Sequence, residues 1–319
     1  MNTYKWLLKR EFWEHKGGFF WTPAVVGALM TLFLALSMAG GLIAKTHHGM
    51  QINGQQVTNL SKLMTEEQKA QAVEAISQGY MSTAAPLFFV MAFVVFFFCL
   101  GSLFDERKDR SVLFWKSLPL SDSKTVLSKV AMAIVGAPLI TLAFAVVTSL
   151  LSLLIILIGG AASGLNLFGP VLASPATYAA PFMVLSLVPV YMVWALPTVG
   201  WLMMVSAWAR TKVFMWAVGV PVLTGVLISW FNAMFDFNWD VQWFWQHIVG
   251  RGLLSAVPGA WFAFVDPSGG VHNQEHFHLS MLITASWKTL ASANAWIGAA
   301  IGAAMIYVAT RLRRWKDEG

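Results

Sequence analysis

The chain has 319 residues, of which 57% are hydrophobic and only 11% charged, and its mean hydropathy of +0.64 lies outside the range of soluble domains. This composition reads as an integral membrane protein. The formal charge of +6 does not point to nucleic acid, because Lys and Arg gather at the ends of apolar runs and form no basic face with stacking aromatics. The one cysteine, Cys99, sits inside an apolar run and excludes both an intrachain disulfide and a Cys-based metal site.

Residues 1–18 open the chain with Tyr4, Leu7, Leu8 and Phe12 on one broad helical side and Lys5, Lys9 and Arg10 around the other, interrupted by Trp6 and Trp13. The pattern predicts an interfacial helix lying along a membrane leaflet, its aromatic bodies in the headgroup layer and its Lys and Arg facing lipid phosphates. The uncharged run that follows exceeds the roughly 7–15 residues of a signal-peptide core, so it reads as an uncleaved first span over 19–44. A polar segment, 45–83, comes next. Within it Thr65, Glu66, Glu67 and Gln68 form a capping box that predicts a short helix from Glu66 to about Gln78.

A Phe-rich second span covers 84–104 and ends at a charged loop, 105–125. The third span, 126–158, is longer than the roughly 20 residues a bilayer needs, so its first turns, with Lys129, project beyond the membrane. Gly136 and Pro138 are placed to bend it. The fourth span, 178–209, carries Pro181, Pro189 and Pro197, consistent with either a rocking element or static kinks. A tight turn at Arg210 and Lys212 leads to the fifth span, 213–235.

Residues 236–289 interleave Trp and Phe with Gly and Pro in apolar pieces too short to cross, which suits re-entrant or interfacial helices or an ordinary folded lid. The last span, 290–310, contains Gly298 and Gly302 in a small-xxx-small pattern for close helix packing. The fold expected is therefore all-α, a single membrane domain with six transmembrane helices. Of the 21 Lys and Arg residues only Lys45, Lys62, Lys69, Arg251 and Lys288 fall on one side of this layout, while Asp and Glu divide almost evenly. By the positive-inside rule both termini and the charged loop are cytoplasmic, as in a multi-pass protein of a bacterial inner membrane.

Candidate chemistry is sparse. His272, Glu275 and His276 match the H-x-x-E-H zinc-protease string, with His278 nearby, and a membrane metalloprotease is one reading of it. The string follows Pro267-Ser-Gly-Gly in a loop rather than opening a helix, and no histidine follows His278 to complete a site, so these residues are weak metal candidates and a polar turn is the better reading. The six membrane cores hold no acidic or basic side chain, which disfavours an autonomous ion-coupled carrier and suits a lipid-like, hydrophobic or amphipathic substrate better than a small ion. No G-x-x-x-x-G-K-[ST] phosphate loop occurs, so any energy from ATP arrives from another subunit.

The charged loop carries Glu106, Arg107, Arg110, Val112, Leu113, Phe114, Trp115, Leu118, Pro119 and Ser121, with Lys129 leading the third span. Val112 to Trp115 would be an unprotected apolar patch on an exposed loop unless something covers them. The series Glu106-Arg107, Leu113, Leu118-Pro119, Ser121 and Lys129 resembles the loop after the second span in ABC type-2 exporter permeases, although Arg110-Ser111 replaces the family's small pair. The resemblance implies a cytoplasmic coupling helix docked on an ABC ATPase subunit that holds ATP and Mg, and a second permease subunit, as a homo- or heterodimer in membrane lipid. It implies no cofactor and no covalent chemistry in this chain. A membrane scaffold or assembly factor without an ATPase partner is the remaining alternative.

Overall fold

The computed structural model describes residues 3–48, 51–52, 55–56, 64–109, 121–265 and 279–316. Apart from a two-rung antiparallel ladder that pairs Gln51 with Gln56 and Ile52 with Gln55, the described chain is helical. Among the described residues, six helical stretches are long and apolar enough to cross a membrane: Gly17–Ala44, Glu66–Lys108, Asp122–Ala162, Pro175–Trp208, Met215–Phe235 and Ala293–Trp315. Helices dominate because a backbone in hydrocarbon must satisfy its own N–H and C=O groups. The apolar parts of these stretches are spans 1 to 6.

Helix α1, Thr3–Glu14, precedes span 1. Helix α2, Glu66–Gly79, starts at the expected capping box: the Gln68 N–H donates to Thr65 Oγ1 at 3.3 Å, and the Thr65 N–H donates to Gln68 Oε1 at 3.0 Å. A tight 3₁₀ turn, Tyr80–Ala84, then runs without a break into span 2 proper, α3 at Ala85–Gly101. The polar helix and the span are thus one continuous rod, since no residue between them ends the helix.

Span 3 widens into a π turn at Met132–Gly136, just before Pro138, which leaves the backbone room to accommodate the proline. Span 4 breaks in two, Pro175–Leu185 and α4 at Val188–Trp208, with Pro189 in the first turn of the second piece. Pro181 and Pro197 lie inside helices, so of the three prolines only Pro189 marks the break. The turn to span 5 needs a left-handed residue, and Lys212 supplies it at φ 49°.

The core is built around α4. Val190, Trp194, Val199, Leu202 and Met203 are buried there, against α3 on one side and α5, Ala293–Lys316, on the other. α4 and α5 approach so closely that a Cβ on Gly302 would overlap the Leu196 carbonyl and the Pro197 nitrogen, and one on Gly200 would overlap the backbone of Gly302. The small-residue face on span 6 therefore serves packing within the chain. Spans 1 and 5 stand at the periphery and expose Leu29, Phe33, Leu36, Leu223, Met234 and Phe235. Exposed aromatics cluster near the span ends, with Trp13, Phe20 and Trp21 at one and Phe235, Phe237 and Trp239 stacked in series at another, as in the aromatic belts of membrane proteins.

Candidate functional site

The charged loop leaves span 2 through a short helix at Phe104–Lys108 and returns at Asp122, the first residue of the helix that opens span 3. Residues 110–120 lie outside the described residues, and with them Arg110, Val112, Leu113, Phe114, Trp115, Leu118 and Pro119. The described part is the root of the loop, and it is held by a buried network of ion pairs.

Glu106 is its centre. The carboxylate of this nearly buried residue accepts from Arg10 Nη2 at 3.2 Å, Lys129 Nζ at 3.0 Å and Arg313 Nη1 at 2.7 Å. Lys129, itself only 1% exposed, also reaches Glu11 Oε2 at 2.9 Å, and Arg10 Nε donates to Glu14 at 2.7 Å. Arg313 Nε lies 3.3 Å from Asp122 Oδ1, so one guanidinium from span 6 bonds a residue on each side of the loop. Burial pushes the Glu106 carboxyl up, but Lys129, Arg313 and Arg10 outweigh that and hold it below the usual carboxylate range. Burial likewise works against the Arg10 charge, yet Glu14, Glu11 and Glu106 raise its pKa overall.

Arg107 faces the other way. Its Nη2 donates to the carbonyls of Ser206 and Ala209, at the C-terminal end of α4, where helix carbonyls lack intrahelical partners and the dipole favours a cation. Ser206 returns the contact: its Oγ accepts from the N–H groups of Leu103 at 3.1 Å and Phe104 at 3.0 Å, satisfying donors at the turn between span 2 and the loop helix. Glu106 and Arg107 therefore tie the loop root to α1, span 3, span 4 and span 6.

Two expectations change here. Arg10 does not face lipid phosphates; it turns inward, because the buried Glu106 carboxylate needs compensating cations. Glu11, fully buried, went unread in the sequence, although it falls one turn from Leu7 on the same helical face, and these two buried residues mark the inward side of α1. Asp122 and Arg313, read only as topology charges, are structural partners. No local signal joins them, since they are far apart in the chain.

Glu11, Glu14 and His15 place one ligand atom each within 4.8 Å of one another, the geometry of a loose metal site. Glu11 and Glu14 are already engaged by Lys129 and Arg10, so the group is spent on ion pairs. The candidates His272, Glu275, His276 and His278 lie outside the described residues. Compared with protein-family models, with curated proteins and with solved structures, the chain matches none.

Proposed function

We propose that this multi-pass membrane protein is the permease subunit of an ATP-binding-cassette exporter, driven by a separate cytoplasmic ATPase subunit that carries ATP and Mg. The observation that carries the reading is the ion-paired root of the charged loop, centred on Glu106. A flexible connector would transmit no force. A loop whose two ends share Arg313, and whose base is bonded to α1 and three spans, moves those elements together when its tip is pushed.

In this reading the loop is cytoplasmic, both termini lie on the same side, and the membrane is a bacterial inner membrane. Val112, Leu113, Phe114, Trp115, Leu118 and Pro119 supply the apolar docking surface, and Arg110 its flanking charge. ATP-driven closure of two ATPase subunits against two permease subunits changes access to a pathway for a lipid-like, hydrophobic or amphipathic substrate. The helices of 241–265 and 279–289 are then re-entrant or interfacial pieces on the outer side. The chain itself carries out no covalent chemistry.

Copurification with a nucleotide-binding subunit tests the reading. Phe114→Asp and Trp115→Asp are expected to lower ATPase recovery at least tenfold while leaving the permease folded in the membrane. Unchanged recovery with both charges present would remove the loop from the docking surface.

A further inference from the structure

At the opposite end of the bundle lies a charge of a different kind. Arg251, 7% exposed, starts a short helix at Arg251–Leu254 and reaches between spans 4 and 6. Its Nη2 donates to the Asn294 carbonyl at 2.6 Å, and its guanidinium carbon lies 5.2 Å from the centre of the Trp194 ring. Its Nε is buried with no hydrogen-bond partner, and among the described residues no carboxylate pairs with it. Gly298 makes the space: a Cβ there would collide with the guanidinium.

Arg251 also lines a cavity of about 240 Å³ between spans 4, 5 and 6, together with Pro197, Trp201, Pro221, Ile301 and Met305. From Gly298 to Met305 this lining follows span 6 for roughly 10 Å toward the middle of the membrane, at 1.5 Å per residue. Its lining side chains are apolar apart from Arg251 and His247. A buried cation without a carboxylate is costly, and in a membrane protein such a group marks a ligand or pathway position. The cavity is smaller than the roughly 300–1,000 Å³ of sites for drug-sized molecules, which suits one hydrocarbon chain rather than a bulky ring system.

The geometry points to a binding site for a single-chain anionic amphiphile, its carboxylate or phosphate on Arg251 and its tail along Pro197, Trp201, Ile301 and Met305. The anion supplies the counter-charge that no described carboxylate gives Arg251, and the Gly298 notch and the Trp194 face hold the guanidinium in place for it. A fatty acid and a lysophospholipid present the same chemistry to it. The site stands on these contacts and does not require the exporter reading.

The test uses the purified full chain in phosphatidylcholine nanodiscs and a photoactivatable diazirine analogue of palmitate, with labelled peptides mapped by mass spectrometry. Saturable labelling is expected on the peptides holding Trp201 and Ile301 to Met305, displaced by palmitate. Displacement by lysophosphatidylglycerol assigns a phosphate headgroup to the site as well; its absence limits the site to carboxylates. Arg251→Gln should reduce labelling at least tenfold, Arg251→Lys should retain part of it, and Gly298→Ala, which keeps the arginine but fills its notch, should also reduce it. Thermal unfolding of each variant checks the fold, and Arg251→Lys keeps the test informative if Arg251→Gln does not fold. Equal labelling of Arg251→Gln would overturn the proposal, as would equal displacement by uncharged hexadecanol or displacement by inorganic phosphate alone. No ATPase subunit is present, so a negative result here leaves the coupling reading untouched.

Discussion

The two buried charge sites differ in how they are neutralised. At the loop root, Glu106 is surrounded by Arg10, Lys129 and Arg313, and Glu11, Glu14 and Asp122 complete the network from within the chain. At the other end Arg251 has a carbonyl, an aromatic face and an apolar cavity. A network that compensates itself holds elements together, since removing any member exposes the rest to an unpaired burial cost. A cation left without an anion among the described residues is instead available to something outside the chain. Burial alone does not separate structural charges from functional ones; the partners do.

The largest expected effect comes from breaking the self-compensated network. Glu106→Ala leaves Arg10, Lys129 and Arg313 without their shared carboxylate and should cost about 3–5 kcal/mol, read as a lowered unfolding midpoint in detergent. An unchanged midpoint would mean the network is not what holds the loop root. Because the folded Glu106 pKa is depressed, its stabilisation is present above the unfolded carboxylate value near 4.3 and is lost as pH falls through the lower folded value. Wild-type protein should therefore lose stability more steeply below about pH 4 than Glu106→Gln, as unfolding midpoints between pH 6 and 3 would show.

Next in size is a change that leaves both charge sites intact. Gly302→Val would press side-chain atoms into the Leu196 carbonyl, and backbone cannot yield as a side chain can. A loss of about 3 kcal/mol is expected, with the same unfolding assay as the measure. Since Gly298 and Arg251 lie on the same contact between spans 4 and 6, this variant should also weaken amphiphile labelling, whereas Glu106→Ala should affect it only through global stability. Equal labelling of Gly302→Val and wild type would uncouple the cavity from that helix crossing.

The smallest effect lies away from both sites. Thr65→Ala removes the capping-box hydroxyl at the start of α2 and should cost about 1 kcal/mol. Hydrogen exchange should rise over Glu66 to Gly79 and leave the loop root unchanged. Exchange rising at Glu106 as well would show that the rod from α2 through span 2 carries strain to the loop.

Much of the architecture was legible because its signals are local. The capping box at Thr65, the uncharged runs, the glycines of span 6 and the tight turn at Lys212 each act within a few residues. The chemistry of the charged residues was not local. Glu11, Lys129, Glu106 and Arg313 come from four distant segments, and the charge census that orients a membrane chain treats Lys129, buried between two carboxylates, no differently from a solvated lysine. Arg251 shows the same gap: in the sequence it is a basic residue between spans 5 and 6, while its distinction, that no described carboxylate lies beside it, exists only in three dimensions.

What the amino-acid sequence determined by itself is the membrane character of this protein and the six stretches long and apolar enough to cross, because hydrophobic length against membrane thickness is a one-dimensional quantity. The tertiary structure decided which charges neutralise one another and which is left open. Ion pairing depends on distances of a few ångströms between segments that lie apart in the chain, up to 207 residues for Glu106 and Arg313, and only the packing of α1 and spans 2, 3, 4 and 6 brings them within reach.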